Sequence, residues 1–154
     1  MKRSLGLLLA LVTSAGAGPL HAGDSSSQIA ESAAAQWNKA FEHGKVDEIL
    51  ALYTDNAILL QHNGQVSRGT GQIRTFWQNL IAQGEFALDV VDVRDSGEGT
   101  IVTTAKLSDV KTLPTPERQV LKYGFGGLLQ IVLRRQPDGT WKSQVQRWNA
   151  DRRT

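Results

Sequence analysis

The sequence predicts an α+β fold in which three helices are packed on one face of a curved antiparallel sheet. Helical patterns occupy the first half of the chain, and period-two alternation dominates the second half. Two long strands, 128–135 and 141–149, are joined at 136–140 by a Pro-Asp-Gly turn, because proline presets φ and the next two residues accept tight conformations. The glycine run at 124–127 precedes a strand and predicts a kink that curls the sheet.

The first 22 residues have the pattern of a secretory signal peptide. Lys2 and Arg3 precede an apolar run that is too short to span a bilayer, and the Ala22-Gly23 bond suits cleavage. An uncleaved membrane anchor is the alternative, but the run breaks into threonine, serine, glycine and proline. We therefore predict one domain, residues 23–154, that is periplasmic or secreted and has no membrane contact after cleavage.

Composition narrows the possible partners of this domain. Removing Lys2 and Arg3 leaves 15 basic residues against 15 acidic ones, so the mature chain is formally neutral. Neutrality removes the electrostatic signature of nucleic-acid binding, and we predict no nucleic-acid partner. The chain has no cysteine and no His-x-His or HExxH motif. We therefore predict no disulfide, no metal site and no cofactor.

Apolar residues at helical spacing predict the three helices. The first covers 28–43 and ends at Gly44; the second covers 46–53, including Tyr53 in its buried stripe. The third opens at Gly69-Thr70, with Thr70 as the N-cap, and ends at Gly84.

Between and after these helices the pattern predicts strands. A strand over 57–62 turns at Asn63-Gly64, which favours a two-residue hairpin, and returns over 65–68. Strands over 86–94 and 100–110 pair antiparallel through a short glycine-containing turn. Two prolines then predict a loop at 112–116.

The last strand carries two tryptophans, Trp141 and Trp148. Strict alternation places them on opposite faces of the sheet. We therefore expect both faces to be partly covered, one by helices and the other by a cavity or a partner.

Three stretches together resemble the nuclear transport factor 2-like superfamily, in its SnoaL-like and ketosteroid isomerase-like branch. They are Gly44 to Ala57, Arg68 to Trp77, and Asp138 to Lys142 with Trp148-Asn149. The resemblance implies a cone-shaped fold whose concave sheet and first helix enclose an apolar pocket, commonly in a homodimer. This chain would then be an exported member.

In the isomerase branch a carboxylate on the first strand is the base, and a tyrosine on the first helix stabilises the oxyanion. Alignment on the first stretch places the base at Gln61 and the tyrosine at Trp37. An amide cannot take up a proton near neutral pH, and an indole N–H only donates, so that mechanism does not carry over. Many relatives also have an acidic residue two positions before the last tryptophan, where this chain has Gln146.

On this family model five residues are expected to reach the cavity and bind a neutral, partly aromatic or cyclic molecule. They are Trp37, Gln61, Tyr123, Gln146 and Trp148. His62 is the weak catalytic candidate, since histidine titrates near neutrality. Alternation turns it away from Gln61, which favours an exposed or partner-facing histidine.

Three hypotheses follow. The first is an exported small-molecule-binding domain with an apolar pocket and no evident catalytic base, dimeric through the open sheet face. The second is an acid–base isomerase, dehydratase or cyclase that uses His62 or an aspartate. The third is an interaction module whose pocket is filled by its own side chains.

Overall fold

The computed structural model describes residues 25–61, 63–109 and 128–149, which form three helices and six strands. In chain order they are α1 (Ser26–His43), α2 (Val46–Leu50), β1 (Tyr53–Leu60), β2 (Val66–Arg68), α3 (Gly69–Ile81), β3 (Phe86–Gly97), β4 (Thr100–Asp109), β5 (Leu128–Arg135) and β6 (Trp141–Asn149). Helix α1 lies against β3, and α3 lies against β1. Within this described part no helix is both long and apolar enough to cross a bilayer.

Several predicted features lie outside the described residues. These are the signal peptide at 1–22, His62, the loop at 112–116, Tyr123 and the glycine kink at 124–127.

The ends of the helices show where local signals hold. Helix α1 begins in a capping box, in which Gln28 N donates to Ser25 Oγ (3.3 Å) and Ser25 N donates to Gln28 Oε1 (2.9 Å). It ends at Gly44, which takes the left-handed conformation (φ 60°), as predicted. For α3, Thr70 as the cap is wrong, because the helix begins at Gly69 and its N-cap is Arg68, two residues before Thr70. Gly84 as the stop is also wrong, since the C-cap is Ala82.

Tyr53 belongs to a strand, so the predicted helix over 46–53 is too long. Helix α2 ends at Leu50, and Tyr53 opens β1. The reason is a long-range pairing: Tyr53 pairs with Ser143 of β6, and Ser143 N donates to Leu52 O at 2.8 Å. Strand pairing with β6 overrides the helical spacing of the apolar residues.

The sheet is mixed, in the order β2-β1-β6-β5-β4-β3. Strands β1 and β6 run parallel, and the other neighbours are antiparallel. The prediction of a wholly antiparallel sheet is therefore wrong. Consecutive hairpins impose antiparallel pairing, but β1 and β6 are separated by most of the domain and no tight turn constrains their direction.

The β1–β2 hairpin is confirmed, but its two-residue turn is wrong. Gln61 N donates to Gln65 O at 2.8 Å, so three residues separate the closing pair. A three-residue hairpin loop requires one residue in the left-handed conformation, and Gly64 supplies it with φ 83°.

A bulge in β6 reverses the predicted alternation of that strand. Val145 pairs with Val132 and Ser143 pairs with Leu133, so Gln144 has no partner on β5. The inward, buried face of β6 therefore carries Trp141, Ser143, Gln146 and Trp148 together. The prediction that Trp141 and Trp148 lie on opposite faces is wrong, because strict alternation fails where one residue is inserted.

Asn38 attaches α1 to the edge strand β3. Leu88 N donates to Asn38 Oδ1 (2.6 Å), and Asn38 Nδ2 donates to Leu88 O (3.0 Å). The side chain thus satisfies both backbone groups that an edge strand would leave open, and it sets the height of α1 above the sheet.

Aromatic side chains fill the centre of the domain. Their ring centroids lie between 5.2 and 6.1 Å apart in tilted or edge-to-face pairs. We call this group the aromatic cluster; its members are Trp37, Phe41, Tyr53, Phe76, Trp77 and Trp148.

Candidate functional site

A cavity lies between α1 and the concave face of the sheet. Its wall is apolar apart from Thr103, and its volume is about 10 Å³, roughly the room for one water molecule. Alanine side chains on α1 leave the space open. The lining residues are Ala30, Ala33, Ala34, Trp37, Leu88, Val90, Thr103, Ala105, Ile131 and Leu133. We call this cavity and the sheet surface beside it the hollow.

Polar groups of β6 lie directly beside the cavity. Ile131 and Leu133, which line it, pair with Gln146 and Ser143 respectively, and all four side chains are buried on the same face. Both polar residues are fully buried, with 0% of their surface exposed. The floor of the hollow therefore changes from aliphatic to polar between β5 and β6.

Tyr53 connects Gln146 to the aromatic cluster. Trp77 Nε1 donates to the Tyr53 hydroxyl oxygen at 2.8 Å, and the Tyr53 hydroxyl donates to Gln146 Oε1. All three side chains are buried. Burial raises the pKa of the Tyr53 hydroxyl well above its ordinary value, and the hydrogen bond from Trp77 offsets this only in part. Tyr53 is therefore a neutral hydroxyl near pH 7.

The raised pKa of Tyr53 predicts that it ionises only when the protein unfolds. The chain has two tyrosines, so a Tyr123→Phe variant leaves Tyr53 alone to report. A folded-state pKa above the unfolded value of about 10 means that the stabilisation is present below pH 10 and is lost as pH rises through the folded pKa. We expect the tyrosinate absorbance at 295 nm to rise together with the loss of far-ultraviolet circular dichroism. Reversible ionisation near pH 10 in a folded chain would contradict burial of this hydroxyl.

Four buried polar atoms on β6 have no hydrogen-bond partner in the described part of the chain. They are Trp141 Nε1, Ser143 Oγ, Gln146 Nε2 and Trp148 Nε1. All four can donate, and the indole and amide nitrogens can only donate. A buried donor without a partner costs about 1–3 kcal/mol, and such groups in folded proteins usually meet water or a ligand. The inward face of β6 is therefore a surface of available donors.

The predicted site residues lie in different parts of the structure. Trp37 lines the cavity, whereas Gln146 and Trp148 are buried on the inward face of β6. Gln61 lies just after β1, half-buried, with Nε2 donating to Ser67 Oγ at 3.3 Å, and it does not line the cavity. Tyr123 and His62 lie outside the described residues.

Three residues of the site were not predicted from the sequence. Helical spacing predicts Tyr53 in a helix and Trp77 on an ordinary apolar helix face, and strict alternation predicts Ser143 on the face opposite Gln146. The β1–β6 pairing and the bulge at Gln144 bring these side chains together, and neither leaves a local pattern in the sequence.

Carboxylate, lysine, arginine and histidine side chains are absent from the hollow as far as the structure describes it, and the titratable group that contacts it is the Tyr53 hydroxyl. The buried polar side chains in the described ranges are Thr54, Ser67, Thr103, Ser143 and Gln146. Every aspartate with a described side chain is exposed: Asp47, Asp55, Asp89, Asp92, Asp95 and Asp138. Among the described residues there is also no group of three or more histidine, cysteine, aspartate or glutamate side chains that could bind a metal ion.

A scan against protein-family models matches residues 34–126 to the SnoaL-like domain. The matched range includes Trp37, Tyr53 and Trp77 and ends before β5 and β6. A search of curated protein sequences finds no match to this chain.

Solved structures share the fold at low sequence identity. A ketosteroid isomerase-like protein from Erwinia carotovora atroseptica SCRI1043 has 15% identity and a TM-score of 0.61, covering 81% of this chain and 95% of that one. An NTF-2 like protein of unknown function from Shewanella oneidensis MR-1 has 12% identity and a TM-score of 0.63, covering 80% and 98%. A domain of unknown function with a cystatin-like fold from Nostoc punctiforme PCC 73102 has 15% identity and a TM-score of 0.66, covering 82% and 77%. Likeness at these identities establishes the shared fold.

Proposed function

The chain belongs to the SnoaL-like domain family, of the nuclear transport factor 2-like fold, and on this premise we propose that it binds a small apolar or cyclic molecule in the hollow. One observation carries the proposal. The cavity between α1 and the sheet has an apolar wall, and beside it the sheet presents buried hydrogen-bond donors without partners. An apolar space with a few convergent polar groups is the usual chemistry of a small-molecule site.

Binding requires the cavity to widen. Sites for drug-sized molecules span roughly 300–1,000 Å³, far more than the space between α1 and the sheet. The wall formed by α1 is thin at Ala30, Ala33 and Ala34, which present one methyl group each. A tilt of this helix that keeps Asn38 bonded to Leu88 would widen the hollow at these alanines.

The chemistry of the hollow favours binding over proton transfer. Among the described residues its buried polar groups are amide, hydroxyl and indole groups, and none of these is a base near neutral pH. An acid–base isomerase, dehydratase or cyclase that uses His62 or an aspartate is the alternative. The described aspartates do not support it, since they are exposed on the surface.

Filling the cavity tests the site. Ala34→Leu adds three carbon atoms to the cavity wall, whereas Ala35→Leu makes the same change at an exposed position one residue away. We expect the neutral fluorescent ketone 6-propionyl-2-(dimethylamino)naphthalene to bind the parent protein and Ala35→Leu equally, and to bind Ala34→Leu at least about tenfold more weakly. The overpacked variant should also lose about 1–3 kcal/mol of unfolding free energy. Equal binding by both variants would place the ligand elsewhere, and no binding by the parent protein would favour a self-filled interaction module.

Export and ligand content can be tested in one measurement. Native mass spectrometry of the protein purified from its own periplasm should show a chain that starts at Gly23 and carries a bound small molecule. A chain that retains residues 1–22 would contradict signal cleavage. A mass without any adduct, together with failure of the probe to bind, would contradict small-molecule binding.

We also propose that the partner is a second copy of this chain. A row of β-branched side chains crosses the outer face of the sheet, where the register aligns Ile58, Val145, Val132 and Val102 on neighbouring strands. These side chains are half-buried and lie on the face opposite the described helices. A flat apolar row can pack against its own symmetry mate, which is how two-fold homodimers are built.

Charging this row should separate the subunits. We expect Val132→Lys to convert the dimer to a monomer in sedimentation velocity. Val91→Lys is the matched control, because Val91 is 60% exposed and lies outside the row. A dimer in both variants, or a monomeric parent protein at micromolar concentration, would contradict this surface as the interface.

A further inference from the structure

We infer that the ligand of the hollow is an uncharged molecule that presents a carbonyl or ether oxygen to Ser143 Oγ and Gln146 Nε2. This inference rests on the proposed function and specifies the class of ligand. It follows from the direction in which the hydrogen bonds at the centre of the domain must run.

The donor and acceptor roles in this hydrogen-bond chain are fixed first at Trp77. An indole N–H can only donate, so the Tyr53 oxygen accepts from Trp77 Nε1 at 2.8 Å. The single proton of the Tyr53 hydroxyl is then left to donate to its other neighbour, Gln146 Oε1. The side-chain amide of Gln146 is thereby fixed with its oxygen toward Tyr53 and its nitrogen on the other side.

The fixed amide presents a donor where it has no partner. Gln146 Nε2 is fully buried and makes no hydrogen bond to the described residues, and the same holds for Ser143 Oγ. Both lie beside the cavity, because they pair with the cavity-lining residues Ile131 and Leu133. Both groups therefore lie on the part of the hollow next to Ile131 and Leu133, where an acceptor on a bound molecule would meet a donor without a partner.

The charge of the ligand follows from its surroundings. The described buried side chains include no lysine, arginine or histidine, so a carboxylate or phosphate in the hollow would lie without a countercharge. A ligand that offers only a donor, such as an amine, would face donors and leave them unpaired. A neutral acceptor is the chemistry that satisfies the site.

Matched probes of the same shape test this inference. The probes are 2-acetylnaphthalene, which has a ketone, 2-ethylnaphthalene, which has no acceptor, and 2-naphthoic acid, which is a carboxylate at pH 7. We expect the parent protein to bind the ketone about five- to tenfold more tightly than the hydrocarbon, and the carboxylate most weakly. The dissociation constants are measured by quenching of tryptophan fluorescence.

Two variants test whether Ser143 and the Gln146 amide cause the preference for the ketone. Ser143→Ala should lower the ratio of ketone affinity to hydrocarbon affinity about two- to fivefold, and it should not unfold the protein, because it removes a hydroxyl that has no partner. Ser67→Ala is the matched control, since Ser67 is a buried serine that contacts Gln61 rather than the hollow. Tyr53→Phe frees the Gln146 amide to rotate, so we expect a lower ratio with unchanged affinity for the hydrocarbon.

The outcomes separate this inference from the proposed function. If the parent protein binds none of the three probes, small-molecule binding in the hollow fails. If it binds the ketone and the hydrocarbon equally, or the carboxylate most tightly, the hollow is a binding site but the inferred class of ligand is wrong. A ketone preference that is undiminished in Ser143→Ala and Tyr53→Phe alike would also overturn the inference.

Discussion

Replacement of Trp77 by alanine is expected to lower the free energy of unfolding by about 3–5 kcal/mol. Trp77 is fully buried and contacts Trp37, Phe41, Phe76 and Trp148 in the aromatic cluster. The alanine variant loses these contacts and leaves a cavity that the surrounding rings fill only in part. Denaturant titration followed by circular dichroism measures the loss.

Two further variants separate the causes of that loss. Gln78→Ala, at the next and exposed position of α3, should stay within about 0.5 kcal/mol of the parent protein. Trp77→Phe retains most of the packing but removes the indole N–H that donates to Tyr53, so we expect an intermediate loss. A Trp77→Ala variant as stable as Gln78→Ala would contradict the position of Trp77 at the centre of the core.

Replacement of Gln146 by glutamate is expected to cost about 2–4 kcal/mol at pH 7. The change keeps the shape of the side chain and the oxygen that accepts from Tyr53, but it places a carboxyl group where the described structure offers no cation. Desolvation raises the pKa of such a group, whereas the hydrogen bond from Tyr53 works in the opposite direction. At pH 7 the free energy of unfolding falls by about 1.4 kcal/mol for each unit by which the folded pKa exceeds the unfolded pKa of about 4.3.

The pH dependence of stability in the Gln146→Glu variant tests the direction of this pKa shift. Its folded pKa lies above the unfolded value, so the variant should match the parent protein below about pH 4 and lose stability as pH rises toward the folded pKa. Gln130→Glu, on the exposed face of β5, should show no such loss. A Gln146→Glu variant that is as stable as the parent protein at pH 7 would show that water reaches this part of the hollow.

The Gln146→Glu variant also tests whether this position can hold an acid–base group. The Tyr53 hydroxyl donates to the Gln146 amide oxygen, so it would face the carboxyl group of the variant. If Gln146→Glu folds and retains a raised pKa, the hollow can hold a proton-transferring group at this position. Proton exchange at the carbon next to the carbonyl of bound 2-acetylnaphthalene, followed by mass spectrometry in heavy water, would detect it.

The sequence by itself determined the features that depend on neighbouring residues. Helix α1 ends where Gly44 takes a left-handed conformation that other residues rarely adopt. The turn between β5 and β6 closes as predicted, with Gln136 N donating to Thr140 O at 2.7 Å and Gly139 at φ 86°. These signals act within a few residues, so they can be read without knowing the rest of the fold. The family resemblance likewise rested on stretches of fourteen residues or fewer and led to the correct fold.

Only the tertiary structure decided which side chains meet in the hollow. Tyr53 becomes the start of β1 because it pairs with Ser143, some ninety positions along the chain, although its spacing suits a helix. Ser143 shares the inward face with Gln146 because a bulge at Gln144 changes the alternation of β6, and the local sequence does not specify that bulge. Register and bulges are set by what the sheet must bury across distant strands, so the contact of Trp77, Tyr53 and Gln146 follows from the packed fold and not from any local pattern.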